Sequence, residues 1–187
     1  MPRLFVGIPL PASYGSHMMS LTSKLGSGLR STVRWTRPEN LHLTLRFLGH
    51  VERGRLPQLR AALQTVDLPS FYVRAGGCGL FPEQGSPRVI WAGIAKGAHT
   101  CAELAERVGH SLIPLGFEAE KRAFKCHLTL GRIKRVANDD WVTCLRRAAG
   151  LWPGFKADRF VLWESQLTQA GPVYSLVEEF LLGEKGG

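Results

Sequence analysis

Leu41-His42-Leu43-Thr44-Leu45-Arg46-Phe47-Leu48 and, 85 residues further on, Cys126-His127-Leu128-Thr129-Leu130-Gly131-Arg132-Ile133 are two versions of one phrase. Both alternate apolar and polar residues, the pattern of a half-buried β-strand. In the first, Leu41, Leu43, Leu45 and Phe47 are expected on one face, with His42, Thr44 and Arg46 on the other. In the second, Cys126, Leu128 and Leu130 face one way, and His127 and Thr129 the other. Each strand buries leucines and offers an imidazole beside a hydroxyl on its open face.

The 85-residue offset extends outward from these strands. A strand at 4–9 maps onto one at 89–95, and a helix at 11–29 onto one at 97–114. A short extended piece at 33–36 maps onto 118–121, and a helix at 55–66 onto one at 140–151, which Asp139 or Asp140 would cap. The strand at 71–75, followed by a Gly/Pro-rich loop at 76–87, maps onto a strand at 155–160. The strand after Pro172, 173–180, matches the strand after Pro87. Such a repeat implies one α+β domain over 1–187, two-lobed with a pseudo-twofold axis, its antiparallel sheets lining a central groove and its helices outside. The twofold would set the two His-Thr faces opposite one another.

The chain's 187 residues suffice for one sizeable core and are short for two independent domains. Hydrophobic residues at 44% and charged residues at 21% describe a folded, soluble protein. The apolar run at 4–10 is too short, and too broken by Gly7 and Pro9, for a signal peptide or membrane span, so a cytoplasmic protein is expected. Cys78, Cys101, Cys126 and Cys144 form no Cys-x-x-Cys motif and are expected as reduced, mostly buried thiols. The net charge of +9 is unevenly placed. Seven arginines fall in 30–60 and six basic residues in 121–135, so 13 of the 24 cations flank the two phrases. That clustering predicts a basic rim for a polyanion.

Two histidines flanking one substrate can divide acid–base labour, because imidazole titrates at about 6.5. In-line displacement at phosphorus needs that division: a nucleophile loses a proton on one side while an alkoxide gains one on the other. Thr44 and Thr129, on the same faces, would donate hydrogen bonds to phosphoryl oxygens, and Arg46 would add positive charge. Other chemistries lack their residues. No carboxylate or cysteine shares a strand face with either histidine to complete a zinc site, and there is no P-loop or Gly-x-Ser-x-Gly elbow. His17, His50, His99 and His110 have no doubled partner and are expected at surface or structural positions. Trp35, Phe47 and Trp163 could stack a base, but as large aromatics they are expected mainly in the core.

The paired His-x-Thr-x phrases, with Arg3-Leu4-Phe5-Val6-Gly7-Ile8, Arg34-Trp35-Thr36, Phe124-Lys125 and Leu162-Trp163-Glu164-Ser165 around them, resemble the two-histidine phosphoesterase superfamily. The flanking text looks like that of its bacterial and archaeal branch, the RNA 2′,3′-cyclic phosphodiesterases, also called 2′-5′ RNA ligases. The resemblance implies cofactor- and metal-independent opening of a terminal 2′,3′-cyclic phosphate to a 2′-phosphate. It implies His42 as the acid on the departing 3′ oxygen, His127 as the base on water, and Thr44, Thr129 and Arg132 as phosphate contacts. RNA ends are then the partner, without a membrane, and the chain is expected as a monomer. Ligation through a 2′-5′ linkage by the same site, or end-binding without turnover, are the alternatives. Arg132 follows His127 by an odd number of residues and should face the leucine side, so a bulge or strand end at Gly131 is expected to re-aim it.

Overall fold

Leu43, Leu45, Leu128 and Leu130 are each 5% exposed or less. Burying one such side chain contributes roughly 1.5–3 kcal/mol, and a one-residue slip would turn all of them outward. These four residues therefore fix which face of each strand looks inward. The computed structural model describes every residue apart from 122, 149, 151, 170 and 184–187, and the backbone alone of 147 and 148. Arg122, counted in the basic cluster, and Leu151, the expected end of the last helix, lie outside the described residues.

The chain runs β1 (Arg3–Pro9), α1 (Ala12–Gly28), β2 (Thr32–Trp35), β3 (His42–His50), α2 (Leu56–Gln64), β4 (Phe71–Phe81) and β5 (Val89–Lys96). It continues through α3 (Ala98–Leu112), β6 (His127–Arg135), α4 (Trp141–Ala148), β7 (Gly154–Ala157), β8 (Arg159–Thr168) and β9 (Gly171–Leu181). Among the described residues all nine strands belong to one antiparallel, curled sheet, in the order β7-β4-β5-β6-β3-β1-β8-β9, with β2 on β6. Its two lobes, β3-β1-β8-β9 and β6-β5-β4-β7, meet where β3 touches β6, and the only ladder pair there is Leu43 with Leu128. Those two leucines are 85 residues apart, so the pseudo-twofold axis passes between them. Beyond that pair the strands diverge, and β2 takes over the edge of β6 from Gly131 to Arg135.

The helices cover the leucine side. In α1, Tyr14, Met18, Leu21 and Leu25 recur at helical spacing and are buried; α3 does the same with Cys101, Leu104, Ala105, Val108 and Leu112. The Tyr14 hydroxyl accepts a hydrogen bond from the Ala75 amide at 3.1 Å, fixing α1 to β4. Asp140 caps α4, its carboxylate accepting from the Thr143 amide at 3.1 Å.

Three sequence expectations need correction. β4 does not stop at Ala75 but runs through the glycines to Phe81, because a side chain at Gly79 would collide with the Trp91 indole of β5. Glycine there admits a stacked tryptophan, not a loop. The segment 118–121 is not a strand. The expected strand at 155–160 is two strands, because residues up to Ala157 pair with β4 whereas those after Asp158 pair with β9 and β1. The strands that the 85-residue offset aligns after Pro87 and Pro172 have different neighbours: β5 lies between β4 and β6, while β9 stands at an edge beside β8.

Candidate active site

Each histidine is held by the carbonyl two residues before it. His42 Nδ1 lies 2.7 Å from the Asn40 carbonyl, and His127 Nδ1 lies 2.7 Å from the Lys125 carbonyl. A carbonyl oxygen only accepts, so in both rings Nδ1 carries the proton and Nε2 is left for substrate. Asn40 is itself buried, and its side-chain amide donates to the Pro172 carbonyl at 2.8 Å. The rings pack differently. His42 lies among Phe5, Tyr174 and Trp163, with centroids 4.7, 5.2 and 5.7 Å away. His127 meets the edge-on rings of Phe81 and Trp91 at 5.0 and 6.4 Å.

Burial pushes both imidazoles below their ordinary titration range, against the opposing pull of the two carbonyl bonds. For His42, positive charge on His127 pushes the same way, so the two rings are near enough to sense one another. For His127, the cations of Lys125 and Arg132 add to the effect. The hydroxyl of Tyr174, whose ring packs against His42, is pushed up by burial.

The threonines follow from the register. With Leu43 opposite Leu128 in an antiparallel pair, His42 is carried toward Thr129 and Thr44 toward His127. Histidine and threonine therefore alternate around the axis on the face opposite the leucines. A groove of about 510 Å³ opens there, and its wall includes His42, Thr44, Thr129 and Arg132. His127 stands beside this wall on the Phe81 and Trp91 side. Arg3, Arg34, Arg37 and Lys134 also line the groove, and among the described residues no carboxylate does.

Two bulges decide which residues reach the groove. In β6 the register against β5 slips between Thr129 and Gly131, leaving Leu130 as the extra residue and returning Arg132 to the groove side. Glycine is required there because Trp35 and Val33 of β2 would lie 2.7 and 2.8 Å from a Cβ at Gly131. The same slip occurs in β3 against β1, between Thr44 and Arg46, with Leu45 as the extra residue. This second bulge was not expected from the sequence. It turns Phe47 away from the leucines, and that ring is 63% exposed and lines the groove. Phe47 and Arg132 are separated by the same 85 residues as the histidines.

The bulge also corrects the reading of Arg46 as a phosphate contact. Arg46 is not in the groove wall. Its guanidinium bonds Glu120 at 3.1 Å and the Glu118 carbonyl, tying down residues 118–120 ahead of β6. Regular alternation would have kept Arg46 beside Thr44; the extra residue removes it. Trp35 likewise lines the groove, while half-buried Trp163 stacks on Phe5 at 5.2 Å beside His42. Asn40, Phe5 and Tyr174 escaped sequence reasoning. Asn40 alone carried a usable signal, its place two residues before a histidine.

Among the described residues no three His, Cys, Asp or Glu side chains gather as a metal cluster, and the four cysteines are free. No helix is long and apolar enough to cross a membrane among those residues.

A family profile described as LigT-like phosphoesterase matches residues 8–91 and 94–174. The chain is 37% identical over 179 residues to an RNA 2′,3′-cyclic phosphodiesterase of Archaeoglobus fulgidus, covering 95% of this chain and 99% of that one. It is 32% identical to a protein of the same name from Aquifex aeolicus, covering 83% and 85%. Among solved structures, the TT0787 protein of Thermus thermophilus superposes with a TM-score of 0.81 at 30% identity, covering 98% and 100%. Escherichia coli LigT complexed with 3′-AMP shares the fold, with a TM-score of 0.78 at 21% identity over 98% and 99%.

Proposed function

This chain belongs to the LigT-like phosphoesterase family, and from that premise we propose that it opens the terminal 2′,3′-cyclic phosphate of RNA to a 2′-phosphate by paired-histidine acid–base catalysis. The observation that carries the mechanism is the matched tethering of His42 and His127, which leaves both Nε2 atoms unprotonated when the rings are neutral. Water attacks phosphorus in line, forming the new P–O bond and passing its proton to His127 Nε2. The P–O3′ bond breaks, and protonated His42 delivers its Nε2 proton to the departing 3′ oxygen.

This division of roles follows from the neighbours. An anionic phosphate between the rings favours one imidazolium, and Lys125 and Arg132 disfavour it at His127. Burial lowers both rings, and on this reading the two extra cations beside His127 make His42 the acid. The hydroxyls of Thr44 and Thr129 and the guanidinium of Arg132 receive the non-bridging oxygens as charge develops. The remaining groove cations hold the RNA backbone, and the exposed Phe47 ring offers a face for a base. We infer also that the chain is one domain built from a repeated unit, supported by bulges and histidine tethers that recur at an 85-residue spacing. The same reading has the protein acting as a monomer in the cytoplasm, in keeping with four free cysteines.

The test is incubation of an oligonucleotide ending in a 2′,3′-cyclic phosphate, in EDTA, with product followed by mass and ³¹P NMR. A gain of one water and a 2′-monoester are expected. A 3′-monoester, or no turnover until a divalent ion is supplied, contradicts the reading.

A further inference from the structure

The two histidine tethers are alike in geometry and unlike in what holds them. In the first lobe the accepting carbonyl belongs to Asn40, inside a 3₁₀ turn (Pro38–Asn40) and locked by its own amide to Pro172. In the second lobe the carbonyl belongs to Lys125, in the irregular segment ahead of β6, which begins only at His127. What fixes Lys125 is its own side chain. The ammonium lies over the Phe81 and Trp91 rings, 5.1 and 5.0 Å from their centroids, and pairs with Glu83 from the turn between β4 and β5. Those two rings are the ones the His127 imidazole packs against. Lys125 thus touches the base's environment twice, by carbonyl and by ammonium, and both contacts depend on one side-chain conformation.

We propose that Lys125, clasped by Glu83 over Phe81 and Trp91, is a positioning residue that orients His127 and keeps it in the proton-accepting form. The proposal rests on the reading of His127 as the base. The charged groups facing His127 are Lys125 from the lead-in segment, Arg132 from β6 and His42 from β3, with Glu83 acting through Lys125. The rings from β4 and β5 are uncharged. Glu83 partly neutralises Lys125, and the carboxyl is in turn held below its ordinary range by hydrogen bonding to that ammonium. The clasp is therefore graded: removing the ammonium makes His127 easier to protonate, whereas removing only the Glu83 charge makes it harder.

The experiment compares Lys125→Met, Lys125→Arg and Glu83→Gln by the pH dependence of kcat/KM and by NMR titration of the His127 ring. In Lys125→Met the acid limb and the ring titration are expected to move up together by about half a pH unit, roughly a threefold loss on the acid limb, given the partly exposed ammonium. Lys125→Arg is expected to restore both, and Glu83→Gln to move both down. A purely structural Lys125 would lower the rate equally at every pH and leave the titration where it was, and that outcome overturns the proposal. The NMR arm does not depend on turnover. If wild-type protein fails to open the cyclic phosphate, the functional reading falls while the Lys125 effect on His127 is still decided.

Discussion

Burial alone would make His42 and His127 poor cations, and a two-histidine mechanism needs one of them charged. On the proposed mechanism the substrate's own negative charge supplies the missing stabilisation, and the Lys125 and Arg132 cations beside His127 favour His42 as the ring that carries the proton. Since kcat/KM reports the free enzyme, in which both rings titrate low, its pH profile is expected to be a bell with its optimum on the acid side of about 6.5. A profile flat through that region, or rising to an optimum well above it, contradicts the assignment. The arginines separate as sharply. Arg132→Met is expected to cost about 10²-fold in kcat/KM, as loss of a preorganised donor does. Arg46→Met, facing away from the groove toward Glu118 and Glu120, is expected to stay within a few-fold of wild type. Steady-state kinetics on the two variants checks both.

At the scale of elements, the bulges are the devices that turn two plain strands into a site. Gly131 is the more constrained of the two positions, packed under Trp35 and Val33. Gly131→Ala is expected to destabilise the fold by about 1–3 kcal/mol, the usual cost of overpacking, and to lower turnover by shifting Arg132; urea unfolding and kinetics measure both. This bulge was legible in the sequence because a charged residue stood at a position alternation assigned to the core, with glycine before it. Its counterpart in β3 was hidden because Phe47 is apolar and fitted the leucine face without conflict. Alternation reveals a bulge only when the residue it displaces has the wrong polarity. The same limit applies to Arg46, which sequence parity put on the groove side, and to the segment at 118–121. There the chain keeps the equivalent place beside β3, held by the Arg46 guanidinium instead of a backbone ladder.

For the whole molecule, two lobes joined at a single leucine pair set His42 in the groove wall and His127 beside it, one histidine from each lobe. Half-buried imidazoles at such a junction also tie stability to pH. Each titrates lower in the folded chain than in the unfolded one, so as pH falls through about 6.5 the unfolded chain takes up protons first. Their contribution is fully present above that pH and is lost as pH falls through the folded values. Between pH 7 and 5 wild-type protein is therefore expected to lose more unfolding free energy than the His42→Ala, His127→Ala double variant, as read by denaturant titration. An equal loss in both would mean that the histidines are not held neutral by the fold. Relating the halves was possible from sequence, since the repeated phrases and the order of elements carry it. The exchange of neighbours among β4, β5, β8 and β9 was not, because order along a chain does not state which strand edges meet.

The proposed mechanism has one imidazole from each lobe working on the same phosphorus, and single-site kinetics decides it. Turnover of a 2′,3′-cyclic-phosphate oligonucleotide is to be measured for wild type, His42→Ala, His127→Ala and the double variant, with folding verified by circular dichroism. Each single variant is expected to lose about 10²–10⁴-fold in kcat, and the double variant to lose far less than the product of the two. A folded single variant retaining turnover within tenfold of wild type would contradict it.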